Sequence, residues 1–122
     1  MTELIFNLLP ILALLETGAF VKDNGDAIGV YQIRPIFVKD INRIAKTMYN
    51  HEDARDERVA KQMVYIYLKY YSKKMQERTG RVPSVYDLAM IFRKGPFGYA
   101  IQDHDYGIRA ENIYEDNLMG GR

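Results

Sequence analysis

The chain has no cysteine, which excludes disulfides and thiolate metal sites and leaves packing alone to hold the fold. Its only imidazoles are His51 and His104, with no H-x-x-x-H or similar spacing. They offer no ligand set for a dedicated transition-metal site, and each reads as a surface histidine. Net charge is also nearly missing. The 17 basic and 16 acidic residues leave +1, too little for the overall field that recruits nucleic acid. A local basic bias at Lys69, Lys73, Lys74, Arg78 and Arg81 reads as the wet side of a long helix. No apolar run reaches the roughly 20 residues of a membrane span. The longest candidate, Leu4 to Leu15, is shorter and contains Pro10. It also lacks a secretory signal's basic flank, because Thr2 and Glu3 precede it, and no small-x-small cleavage site follows. The expectation is a chain made in the cytoplasm without a signal peptide, with no stable membrane insertion, no nucleic-acid partner, no metal and no organic cofactor.

What is present is the composition of an ordinary globular protein, 48% apolar and 27% charged over 122 residues. That is enough for one core and too little for two, so a single domain over residues 1–122 is expected, with any site in a cleft of that core. Leu4, Leu8, Leu12 and Leu15 recur at helical spacing and predict a core helix, kinked or restarted at Pro10 and stopped at Gly18. The run K-D-N-G-D-A-I-G within Val21 to Tyr31 predicts a loop or a short irregular hairpin. Pro35 opens a second helix with Val38, Ile41, Ala45 and Met48 on one face, ending near Tyr49. Asp53 or Asp56 caps a long third helix through Val59, Met63, Ile66 and Tyr70 to Gly80. Ser84 with Asp87 has the form of a capping box, and its helix halts at Gly95-Pro96. A last helix starts around Asp103 or Asp105 and carries Ile108, Ile113 and Leu118. There is no repeat, low-complexity tract or linker, so the fold class is mostly α, about five helices with one irregular loop after the first.

Glu16 is the residue with chemical promise. It is an acid at the end of an apolar helix, two positions before a glycine. The partial negative charge of a helix C-terminus and burial both disfavour an ionised carboxylate there. A carboxyl kept protonated is what a general acid needs to protonate a departing sugar oxygen. The residues that follow run E-T-G-A-F-V-K-D-N-G-D-A-I-G-V-Y-Q-I-R-P from Glu16 to Pro35, with D-A-I-G-V-Y-Q-I at Asp26 to Ile33. Downstream come I-F-R-K-G-P from Ile91 to Pro96 and Y-G-I-R-A-E-N-I-Y from Tyr106 to Tyr114. In order and content these stretches resemble the motifs of the lysozyme-like superfamily, in the branch of soluble lytic transglycosylases, goose-type lysozymes and their small phage relatives.

That resemblance implies a lysozyme-like fold acting on peptidoglycan glycan strands, cut between N-acetylmuramic acid and N-acetylglucosamine, with Glu16 as catalytic acid/base. It makes Gly29, Tyr31 and Gln32 the cleft wall, and Tyr106, with Tyr114 as second choice, the tyrosine facing the glutamate or the substrate. Phe97 and Tyr99 become candidates for stacking on sugars. In a hydrolytic muramidase a second carboxylate would hold water, and Asp23 and Asp26 are the candidates; as residues of a K-D-N-G-D loop they also read as turn formers. Four departures stand out: Thr17 in place of serine, Phe92 in place of tyrosine or tryptophan, Arg93 in place of asparagine, and a loop between Glu16 and Gly29 shorter than in the common transglycosylases, which bears on the width of the cleft. The resemblance also implies a phage setting, with release by a holin or carriage in a virion. The altered third motif leaves a non-catalytic, glycan-binding virion component as the alternative, because fold alone does not carry activity.

Overall fold

A computed structural model describes residues 1–120, so the last two residues of the expected domain lie outside the described part. Five α-helices are present among the described residues: α1 (Thr2–Thr17), α2 (Pro35–Ala45), α3 (Glu57–Thr79), α4 (Val85–Lys94) and α5 (Asp105–Gly120). Short 3-10 turns cover His51–Arg55 and Gly98–Ala100. The mostly helical architecture is the one the periodicity predicts. Between α1 and α2 the chain makes only two isolated bridges, Asn24 with Ala27 and Ile28 with Ile33.

Helix boundaries follow local chemistry. Pro10 sits inside α1 without ending it, and the Gly18 N–H closes the helix on Leu14 O at 2.9 Å. The two candidate caps before α3 are both used: Asp53 closes a capping box with Asn50 on the 3-10 turn, and Asp56 accepts from the Arg58 N–H at the start of α3. Ser84 and Asp87 cap α4 reciprocally. Arg81 pairs with the same Asp87 at 2.6 Å, so this buried carboxylate has a charge partner as well as the Ser84 N–H as a backbone donor.

The second helix ends earlier than predicted, and its expected face changes accordingly. Lys46 turns left-handed with φ 57° and stops α2 at Ala45. Asn42 then gathers the returning chain: its amide donates to Tyr49 O, while its carbonyl accepts from Tyr49 N and the Thr47 hydroxyl. Met48 is thereby left 93% exposed instead of in the core. In α5 the predicted face is also rotated. Tyr106 and Ala110 are buried and Ile113 is half-buried, while Ile108 and Leu118 face water. Gly107 accounts for this: a Cβ there would lie 2.5 Å from the Tyr86 ring, so α5 approaches α4 along its glycine side.

The apolar helix α4 is the hub, touching α1, α3 and α5, with Leu88, Ala89, Met90 and Ile91 fully buried. α1 supplies Ile5, Leu8 and Leu12 to the same core, and α2 packs on α3. The basic residues on and after α3 face outward; Arg78 lies over the Phe97 ring. His51 is half-buried, not simply on the surface. Its Nε2 lies 2.7 Å from Ile33 O, and since a carbonyl only accepts, this nitrogen carries the proton.

Gly29 joins the irregular loop to the 3-10 turn. It has φ +75°, and a Cβ there would lie 2.4 Å from Ala54 O. Gly29→Ala is therefore expected to lower stability by about 2–4 kcal/mol through a strained backbone and a main-chain clash. Urea unfolding monitored by circular dichroism measures the loss.

Candidate active site

Glu16 occupies the last turn of α1, and its placement begins with the neighbouring threonine. The Thr17 hydroxyl lies 3.1 Å from both Ala13 O and Val30 O, sharing one proton between its own helix and the loop. This hydroxyl thus ties the end of α1 to the loop after it. Within that loop Gln32 is left-handed, with φ 53°. Its amide hydrogens are committed to Gly29 O at 2.9 Å and Lys22 O at 3.1 Å.

The Glu16 side chain is 5% exposed, and two groups from distant parts of the sequence meet its carboxylate. The Tyr106 hydroxyl donates to Oε2 at 2.8 Å, and Arg93 Nη1 lies 3.1 Å from Oε1 and 3.4 Å from Oε2. The Arg93 guanidinium also stands over the Tyr106 ring, 5.4 Å from its centroid. Burial, then the charge of Glu16 and its hydrogen bond, push the Tyr106 phenol well above its ordinary range. Tyr106 is thus a fixed proton donor to the carboxylate. Arg93 supplies a direct ionic contact to the carboxylate.

Two recesses meet at Glu16 and share Gln32, Arg34, Arg93 and Lys94 as common walls. One runs along α2, has a volume of about 790 Å³ and is rich in aromatic side chains. Phe37 stacks on Tyr67 with centroids 4.2 Å apart, and Phe92 meets Phe37 and Tyr31 edge-on. Its far end holds Asp40, bonded by Arg43 at 2.7 Å and by the Tyr71 hydroxyl. The other recess, about 520 Å³, opens towards the start of α5 and is polar, with Asn24, His104 and Arg109 in its wall. Here His104 plays a structural part, because its Nδ1 accepts from the Tyr106 N–H at 3.1 Å, at the first turn of the helix that presents Tyr106.

The structure brings Glu16, Tyr31, Gln32 and Tyr106 to the two recesses, and leaves the other expected residues out of their walls. Gly29 is buried against Ala54, so its glycine serves loop packing. Asp23 is paired with Arg55 at 3.0 Å, Asp26 is paired with Arg34, and neither carboxylate lines either recess. Phe97, 59% exposed beneath Arg78, and half-buried Tyr99 and Tyr114 also lie outside both. Phe37, Asp40, Arg43 and Tyr67 line the larger recess without any functional mark in the sequence. Their helical spacing marks them only as members of α2 and α3. No group of acidic or histidine side chains suited to a metal occurs among the described residues. No helix among them is long and apolar enough to cross a membrane.

Tyr31 links the cleft to the core. Burial, with a contribution from the charge of Glu57, pushes its phenol from 10.0 up to about 12. The fold therefore prefers the neutral phenol. That stabilisation is complete below the unfolded-state value of about 10 and disappears as pH rises towards 12. Tyr31→Phe should gain stability relative to wild type between pH 10 and 12, with no such trend below, as read by unfolding at a series of pH values. Comparison with known proteins adds no relative to this geometry: no protein-family model, curated protein or solved structure matches the chain.

Proposed function

We propose that this chain is a lysozyme-like enzyme that cuts the glycan strand of peptidoglycan, with Glu16 as its general acid and base. The observation that carries the reading is the position of Glu16: a carboxylate 5% exposed, at the junction of two recesses, with the Tyr106 hydroxyl fixed on one oxygen. A polymer running from one recess to the other would cross that carboxylate. With its proton in place, Glu16 protonates the glycosidic oxygen as the bond breaks. As a carboxylate it then takes the proton from the attacking hydroxyl, either water or the substrate's own muramic acid hydroxyl.

The ion pairs of Asp23 and Asp26 favour the one-carboxylate version, in which the muramic acid hydroxyl attacks and an anhydro ring closes. Delivery to the wall through a holin or within a virion belongs to the same reading. A second reading, a glycan-binding component without turnover, is favoured by the Arg93–Glu16 ion pair, because a guanidinium 3.1 Å from the carboxylate occupies the side of Glu16 that a glycosidic oxygen would have to approach.

Purified sacculi separate these readings. Wild type should release soluble muropeptides ending in anhydro-muramic acid. Glu16→Gln should lose about 10²–10⁴-fold in rate, the usual range for general acid-base catalysis. Tyr106→Phe, which leaves the carboxylate without its fixed donor, should lose about tenfold while remaining folded. Mass spectrometry reads the ends: reducing ends would replace the anhydro mechanism with hydrolysis, and sacculus binding with no release would favour the non-catalytic reading.

A further inference from the structure

The recess on the α5 side of Glu16 is lined by the cations Arg34, Arg93, Lys94 and Arg109 and by the acids Glu16 and Asp105. Arg34 is held by Asp26 and Arg93 by Glu16, whereas Lys94 and Arg109 make no ion pair among the described residues. The recess therefore carries uncompensated positive charge next to the most buried carboxylate of the cleft. Arg93 is the hinge between the two. Its side chain is 50% exposed, and it touches Glu16 through Nη1 alone, at 3.1 and 3.4 Å. The rest of its planar fork, the part that grips a carboxylate bidentately, has no hydrogen-bond partner among the described residues.

We infer that this arm of the cleft is a binding site for a carboxylate on the ligand, and that Arg93 passes from Glu16 to that carboxylate when the ligand binds. Lys94 and Arg109 supply the field that draws the anion in, and Arg93 supplies the directional contact. A neutral sugar chain leaves the Arg93–Glu16 pair intact. An acidic one takes the guanidinium away and leaves Glu16 with the Tyr106 hydroxyl alone. Resting on the glycan reading proposed for this cleft, this makes Arg93 the positioning residue that couples recognition of a ligand carboxylate to the contacts of Glu16.

Disaccharides that lack the bond cut in the proposed reaction test this by binding alone, through NMR titration of the wild-type chain. Three probes are compared: N-acetylglucosamine disaccharide, which is neutral; N-acetylglucosaminyl-N-acetylmuramic acid, with a free lactyl carboxylate; and the same disaccharide bearing a stem peptide, whose carboxylates lie on the peptide. At least one anionic probe should bind about tenfold more tightly than the neutral one, the scale of one charge-assisted contact. Which of the two does so identifies the source of the carboxylate. The preference should shrink in high salt and in Lys94→Gln/Arg109→Gln. Glu16→Gln, which frees Arg93, should tighten binding of the preferred anionic probe, and Glu16→Gln/Arg93→Gln should abolish that gain. Equal affinity for all three probes overturns the site, and an equal gain with and without Arg93 overturns the transfer. A chain that binds acidic probes selectively yet releases nothing from sacculi would support this inference while removing the enzyme reading.

Discussion

A carboxylate withdrawn from water has to be met by donors, and the Glu16 side chain, 5% exposed at the end of α1, is the group around which the cleft is arranged. Its partners come from the other side of the fold: Arg93 closes α4, and Tyr106 opens α5. Three helices therefore have to meet at one point for a single charge to be satisfied. Removing either partner would leave a buried acid incompletely paired, which is why the geometry of this site and the packing of the helices cannot be varied independently. The two donors differ in kind. Tyr106 is buried and locked in its protonated form, a permanent hydrogen bond, whereas the Arg93 side chain is half in solvent.

The remaining architecture serves to hold that meeting point. α4 is apolar over most of its length and touches α1, α3 and α5, so it fixes the axes along which Glu16 and Tyr106 face each other. Gly107 lets α5 come close to α4 at the turn that bears Tyr106. The loop between α1 and α2 has almost no regular structure, yet it is bound at several points, by Thr17 to Val30, by His51 to Ile33 and by Arg55 to Asp23. A segment of that kind can form a rigid cleft wall without a sheet, because its backbone groups are satisfied by side chains from neighbouring helices and turns.

What could be read from the sequence was what is decided locally. Pro35, Asp56, Gly80 and the Ser84–Asp87 pair mark helix ends through chemistry within a few residues, and each marks an end in the structure. Burial was less legible where the decision is made elsewhere in the chain. Met48 fits the face of α2 by spacing, but Asn42 and the left-handed Lys46 turn the chain before that face can continue. Ile108 lost its place in the core to Gly107, whose value lies in the ring of Tyr86, 21 positions earlier in the sequence. The site divides in the same way. Glu16 was visible as an acid ending an apolar helix. Its contact with Arg93, 77 residues away, and the aromatic wall of Phe37 and Tyr67 belong to tertiary packing that no local pattern encodes.

Passage of a glycan from one recess to the other over Glu16 is tested most directly by a crystal structure of the Glu16→Gln variant with a peptidoglycan hexasaccharide. Sugar rings are expected in both recesses, with one glycosidic oxygen within about 3 Å of the substituted side chain, the reach of a hydrogen bond. Sugar confined to one recess, or bound elsewhere with no glycosidic oxygen near that position, would contradict it.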